Sequence, residues 1–234
     1  MVGPLGDRQA CILYGGAEFS RDLDLSIGVD ADNLAVVHKA LVYLEAELIF
    51  FPRFEVEALN RGHACHFRCH AEGVEGLRID LMTKMRGCPA FEDLWDRRSI
   101  VNLPDIGDVG LLSLPDLVQA KKTQREKDWP MIRRLIETDV VNYDNKADEE
   151  RVRFWLKECR TPYILTLLAQ KHTKLCHHLI ADRLLLRAAL DQDHKQLELQ
   201  LFEEERIEKE TDREYWRPLR DELENWRRQR RSQF

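Results

Sequence analysis

The stretch Ile12-Leu-Tyr-Gly-Gly-Ala-Glu-Phe-Ser-Arg-Asp-Leu-Asp-Leu-Ser-Ile27 constrains this chain more than any other. An apolar run meets the pair Gly15-Gly16, a short polar turn follows, and Asp22-Leu23-Asp24 opens a second apolar run. Residues 22–29 read as a β-strand, in which side chains alternate between faces. Asp22, Asp24 and Ser26 then point one way, and Leu23, Leu25, Ile27 and Val29 the other. Carboxylates about 7 Å apart on one strand face repel each other. A shared divalent cation removes that penalty, and hard cations such as Mg²⁺ prefer carboxylate oxygens. The glycines let backbone approach a bulky anion, and successive N–H groups in such a turn can hold phosphate. Together the two features point to metal-assisted chemistry on a nucleoside triphosphate.

The surrounding pattern supplies the elements. Residues 10–14 read as a short buried strand that ends at the glycines. A helix is expected from Ala31 to Phe50, with Leu34, Val37, Leu41, Leu44 and Leu48 on one stripe. Asp30 or Asp32 caps it, and Phe51-Pro52 ends it. Residues 54–58 read equally as a strand or an extended connection. A hairpin follows: in 64–70 the residues Cys65, Phe67 and Cys69 share one face, and His66, Arg68 and His70 the other. Residues 77–82 alternate in the same way, and 72–76 form the turn. Placing the apolar residues of both strands on one side puts His66 and Arg68 on the face of Asp80. A turn centred on Val74 sets Arg68 directly across from Asp80. From Phe91 onward the signal is mostly helical. A helix is expected over 114–135, a polar break over 142–148, and a helical pair over 149–190 with a break at Thr161-Pro162. A long charged helix is expected over 191–233, where Pro218 kinks it or starts a new one.

With these elements in place, the chain resembles the nucleotidyltransferase superfamily, whose fold is that of the DNA polymerase beta palm. The family pattern is an apolar residue, Gly-Gly or Gly-Ser, a spacer, Asp-apolar-Asp on the next strand, and a third carboxylate on a later strand. Arg78-Ile79-Asp80-Leu81-Met82 offers Asp80 as that third acid. Leu114-Pro-Asp-Leu-Val-Gln-Ala-Lys-Lys-Thr-Gln-Arg-Glu-Lys-Asp128 is similar to a helical motif of the small bacterial and archaeal members. There an apolar helix carries Lys, then Arg, then Lys-Asp; Lys121 or Lys122, Arg125, Lys127 and Asp128 match it.

The resemblance covers residues 10–137 and implies an α/β (α+β) fold, with a small mixed sheet and flanking helices, then a helical C-terminal region. On this basis residues 1–141 form a catalytic domain and 142–234 a helical one. The resemblance implies that Asp22, Asp24 and Asp80 hold one or two Mg²⁺ (or Mn²⁺) ions, with Asp80 also able to serve as general base. It implies that Gly15, Gly16, Ser20 and Arg21 contact the phosphates of a nucleoside triphosphate such as ATP. Arg68, Lys121, Lys122 and Arg125 would neutralise triphosphate charge. The implied activity moves a nucleoside monophosphate from the triphosphate to an acceptor hydroxyl on a small molecule, a tRNA or a protein. One departure stands out. Asp22 follows Gly16 by only six positions, where the family usually has a longer spacer with a short helix. Two other readings follow from that short loop and the helical C-terminal part. One is a non-catalytic relative that binds RNA or a partner protein. The other is a toxin paired with an antitoxin.

Composition narrows the setting. A net charge of −6 argues against a protein dominated by nucleic-acid binding, which leaves the run Trp226-Arg-Arg-Gln-Arg-Arg231 as the place for RNA contact. No apolar stretch is long enough to span a membrane, and no signal pattern opens the chain. A cytoplasmic location is expected, in which the six cysteines read as thiols. His63, Cys65, His66, Cys69 and His70 suggest zinc at first sight, but strand alternation sends the cysteines and His66 and His70 to opposite faces. His172 and Cys176, one helical turn apart, are too few for a structural zinc site. Oligomerisation stays open.

Overall fold

The computed structural model describes residues 7–16 and 22–231. Ser20 and Arg21 lie outside the described residues. Contacts group the chain into two units. The first takes Met1–Leu13, Glu18–Ala120 and Glu214–Phe234; the second takes Tyr14–Ala17 and Lys121–Arg213. These units interleave along the chain, whereas the sequence division has one boundary at 141/142.

The first unit opens with helix α1 (Asp7–Leu13), where a strand over 10–14 was expected. An apolar run this short does not distinguish a strand from a buried helix by periodicity. Ala10 and Cys11 are buried, and α1 packs against strand β1 (Asp22–Ser26). The glycine pair therefore follows a helix. Helix α2 (Ala31–Tyr43) starts at Asp30, the first of the two expected caps, whose carboxylate accepts from the Asn33 N–H at 2.9 Å; Asp32 lies in the first turn. It ends well before Phe50. Glu45 adopts a left-handed φ of 48°, the Ala46 N–H donates to the Leu41 carbonyl at 2.9 Å, and β2 (Glu47–Leu48) joins the sheet. Leu44 and Leu48 extend the apolar stripe, so periodicity alone carries the helix too far. Residues 56–58, expected as a strand or an extended connection, instead open helix α3 (Val56–Arg61), which ends at Gly62 with φ 108°.

Strands β3 (Cys65–Arg68) and β4 (Arg78–Met82) complete a four-stranded mixed sheet of order β1-β4-β3-β2. β1 and β4 run parallel, and β3 is antiparallel to both β4 and β2. On one face Cys65, Phe67, Ile79 and Leu81 pack with Ile27, Val37, Leu41 and Leu59 in the unit's apolar core. The parity of the β3–β4 hairpin is as expected, but its register is not. His66 pairs with Asp80, and Arg68 pairs with Arg78. Apolar alternation fixes register only to within steps of two residues. The turn sets the rest: Gly73 and Gly76 take positive φ, the Cys69 N–H donates to the Leu77 carbonyl, and the Gly76 N–H donates to the Cys69 carbonyl. Arg68 is therefore exposed and does not lie across from Asp80.

After helix α4 (Phe91–Asp96) the structure again departs from the mostly helical expectation. β5 (Ser99–Leu103) and β6 (Gly107–Leu111) form a two-stranded hairpin. Pro104-Asp105-Ile106 is its turn, with positive φ at Asp105 and at Gly107, the first residue of β6. Helix α5 (Leu114–Ala120) follows.

The second unit is helical: α6 (Asp128–Tyr143), α7 (Glu149–Glu158), α8 (Pro162–Lys171), α9 (Thr173–Leu179), α10 (Leu186–Leu190) and the first part of α11 (His194–Arg231). The break at Thr161-Pro162 falls as expected, but 149–190 folds as four helices and not two. α11 runs through Pro218. Trp129, Ile132, Trp155, Leu156 and Leu165 are fully buried, and the Trp155 indole N–H donates to the Asp139 carboxylate at 2.7 Å. The helix expected over 114–135 is split into α5 and α6. Between them the Arg125 N–H donates to the Thr123 hydroxyl and the Gln124 N–H to the Asp212 carboxylate, which gives the backbone partners other than a helical ladder. No helix among the described residues is long and apolar enough to cross a membrane.

Candidate functional site

The sheet face opposite the apolar core carries the acids. β1 and β4 are parallel neighbours, with Asp24 beside Asp80 and Asp22 beside Arg78. Residues in register on adjacent strands point to the same face, and so do residues two apart on one strand. Asp22, Asp24, Arg78 and Asp80 therefore share one face, joined by His66 and Arg68 from β3. Asp24 and Asp80 are buried, at 6% and 8% exposure, and Asp22 is half-buried.

The Arg78 guanidinium grips Asp80 with two prongs. Its Nε donates to Oδ1 at 2.7 Å and its Nη2 to Oδ2 at 2.9 Å. The His66 Nδ1 lies 2.8 Å from Asp80 Oδ1 and 3.1 Å from Arg78 Nη2. One ring nitrogen serves only one of these at a time: protonated it donates to Asp80, and unprotonated it accepts from Arg78. The Phe50 ring meets the His66 ring edge to face at 5.8 Å and lies 5.8 Å from the Arg78 guanidinium.

Charge follows this geometry. Burial pushes the Asp80 carboxyl up, but hydrogen bonds from His66 and Arg78, with their positive charge, outweigh it and hold the carboxyl below its ordinary range. The Arg78 guanidinium is pushed up, first by its hydrogen bond to Asp80 and further by the charges of Asp80, Asp22 and Asp24. The three acids thus act electrostatically on one arginine. Arg78 and His66 were not among the candidate site residues, although a signal existed: Arg78 stands two positions before Asp80 on the same strand, and alternation puts His66 on that face.

Three carboxylates on one face match the oxygen preference of a hard divalent cation. As they stand, no three His, Cys, Asp or Glu side chains among the described residues are arranged to hold a metal ion. Asp80 instead gives both oxygens to Arg78.

The remaining candidates fall elsewhere. Gly15 and Gly16 belong to the second unit. Gly15 has φ 80°, and a Cβ there would meet the Thr138 methyl at 3.3 Å. Lys121, Lys122 and Arg125 also lie in the second unit, on the loop between α5 and α6 and not on a helix. Lys121 is almost fully buried, with its Nζ 3.9 Å from Asp128 Oδ1. Lys122 donates to Glu158 at 2.8 Å, and Arg125 Nε donates to Asp128 at 2.7 Å. Asp128, the last residue of the family-like motif, is thus the acid around which this loop closes.

In the first unit Trp226 packs against His63 and Phe51, with the Arg61 guanidinium 5.6 Å from its ring, and Arg228 pairs with Glu224. Cys65 and Cys69 are buried, His63 meets Glu222 at 2.9 Å, and burial pushes the Cys65 thiol up to about 11. No protein-family model matches the chain, and no curated protein matches it.

Proposed function

We propose that this chain is a divalent-metal-dependent nucleotidyltransferase, with a sheet of the nucleotidyltransferase type, that moves a nucleoside monophosphate from a triphosphate to an acceptor hydroxyl. One observation carries the reading: the parallel register sets Asp24 beside Asp80, with Asp22 two residues away on the same face. The spacing of acids in the sequence is thereby joined by a pairing in space that the sequence pattern did not contain. Asp22, Asp24 and Asp80 would hold Mg²⁺ or Mn²⁺, which when bound supplies charge neutralisation at the phosphates and activation of the acceptor hydroxyl. The lowered pKa of Asp80 keeps it ionised, which suits holding a cation better than taking up a proton. The burial of Asp24 and Asp80 strengthens their charge interactions by keeping water away.

A second reading has its own observation. The two-pronged hold of Arg78 on Asp80 is also what a retired metal site would show, with an arginine standing in for the lost cation. The chain would then be a non-catalytic module that binds RNA or a partner protein. Pyrophosphate release separates the two. The protein is incubated with Mg²⁺, each of the four nucleoside triphosphates in turn and a cell extract as the source of acceptor. Pyrophosphate release with transfer of labelled monophosphate, lost in Asp24→Asn, supports the enzyme. Binding of no triphosphate in the presence of Mg²⁺ would overturn it.

A further inference from the structure

We propose that Arg78 is a built-in cation that occupies the metal-binding edge of Asp80 in the metal-free protein, and that a divalent ion enters by displacing the Arg78 guanidinium from Asp80. The inference rests on the metal-binding reading of Asp22, Asp24 and Asp80. Three carboxylates on one sheet face need a counter-charge in the folded protein whether or not metal is present. Arg78 supplies it from within the site, because it stands beside Asp22 in register and two positions before Asp80 on the same strand.

Its guanidinium takes up both Asp80 oxygens at 2.7 and 2.9 Å. A metal ion needs the same lone pairs, at about 2.1 Å for Mg²⁺. The two cations cannot share that carboxylate edge, so metal and Arg78 compete. Arg78 is equipped to leave. Its side chain keeps a third of its surface exposed, against about an eighth for Asp80, so the guanidinium can turn toward water while the carboxylate stays in place. His66 remains beside Asp80 when Arg78 departs, at 2.8 Å from Oδ1, and holds the carboxylate's orientation. The site thus carries its acids with part of their mutual repulsion offset in the metal-free state, at the cost of a weakened grip on metal.

Mn²⁺ is the probe, with free ion followed by its electron paramagnetic resonance signal. Wild type, Arg78→Gln, Arg78→Lys and Asp24→Asn are titrated without nucleotide. Removing the competing charge should tighten Mn²⁺ binding by roughly tenfold or more in Arg78→Gln. Arg78→Lys, which keeps the charge but loses the fork, should fall between the two. Asp24→Asn should abolish the binding. Equal or weaker affinity in Arg78→Gln, with wild type binding Mn²⁺ at an Asp24-dependent site, overturns the competition and leaves the metal reading standing. Absence of Asp24-dependent binding in both wild type and Arg78→Gln overturns both. If Arg78→Gln fails to fold, the wild-type protein still decides the matter through the Arg78 Nε–H resonance in its nitrogen–proton spectrum, assigned by its loss in Arg78→Lys. Saturating Mg²⁺ should speed exchange of that proton with water as its bond to Asp80 is lost, and unchanged exchange at Mg²⁺ saturation overturns the proposal.

Discussion

Asp80 is a buried carboxylate kept ionised by its neighbours. Its folded pKa lies below the ordinary value of 3.8, because the hydrogen bonds and charges of His66 and Arg78 outweigh the cost of burial. A group of this kind contributes stability that is fully present above its unfolded pKa and lost as pH falls through the folded one. Asp80→Asn should therefore cost roughly 1–3 kcal/mol near neutral pH. The gap to wild type should narrow as pH drops below the ordinary value of 3.8. Urea unfolding at neutral pH and at a series of acidic pH values measures it, and a gap that does not change with pH would contradict the assignment. Asp128 is a second buried carboxylate with cationic neighbours. It receives Arg125 Nε at 2.7 Å and the Thr123 hydroxyl, and lies 3.9 Å from the buried Lys121 Nζ. Asp128→Ala takes the carboxylate from a buried lysine and should cost about 3–5 kcal/mol by chemical denaturation. A loss below about 1 kcal/mol, the range of an exposed pair, would show that the cluster is not held by charge.

At the scale of elements, α2 owes its start to one cap. Asp30→Ala removes the acceptor for the Asn33 N–H and should cost about 1 kcal/mol, read as a lower midpoint in thermal unfolding. That cap was legible in the sequence, as were β1 and the parity of the β3–β4 hairpin, because each rests on local chemistry or on period-two alternation. The end of α2 was not. Leu44 and Leu48 continue its stripe, and what stops it is the pairing of Glu47 and Leu48 with Arg68 and Phe67, residues remote in sequence. The register of β3 on β4 was hidden for a related reason. Alternation leaves Arg68 and His66 equivalent as partners for Asp80, and only the turn between Cys69 and Leu77 separates them. The β5–β6 hairpin did carry a signal, the Pro-Asp-Ile-Gly sequence between two apolar runs, which the helical periodicity around it outweighed. The loop that splits α5 from α6 lay in a strong helical pattern and is kept open by Thr123 and by Asp212, the latter far along the chain. In the candidate site the acids were legible as an alternating pair and a lone strand aspartate. Alternation along one strand puts Arg78 on the face of Asp80, but its place beside Asp22 depends on strand pairing, which no single strand reveals.

Over the whole molecule, the chain sets its acids on the strands of one unit and carries the glycine pair and the Lys121–Lys127 loop in the other. The central claim concerns the acids, and a ligand-induced thermal shift tests it on the intact chain. A ligand that binds only the folded state stabilises it by mass action, by about 2.7 kcal/mol at a hundredfold excess over its Kd. For a chain of this size that corresponds to a rise in Tm of roughly 5–10 °C. Wild type should show such a rise with Mg²⁺ plus the preferred nucleoside triphosphate, while Asp22→Asn and Asp24→Asn show little or none, each variant remaining folded by circular dichroism. Equal shifts in wild type and both variants would contradict the account, because ligand binding would then owe nothing to the aspartates on which it rests.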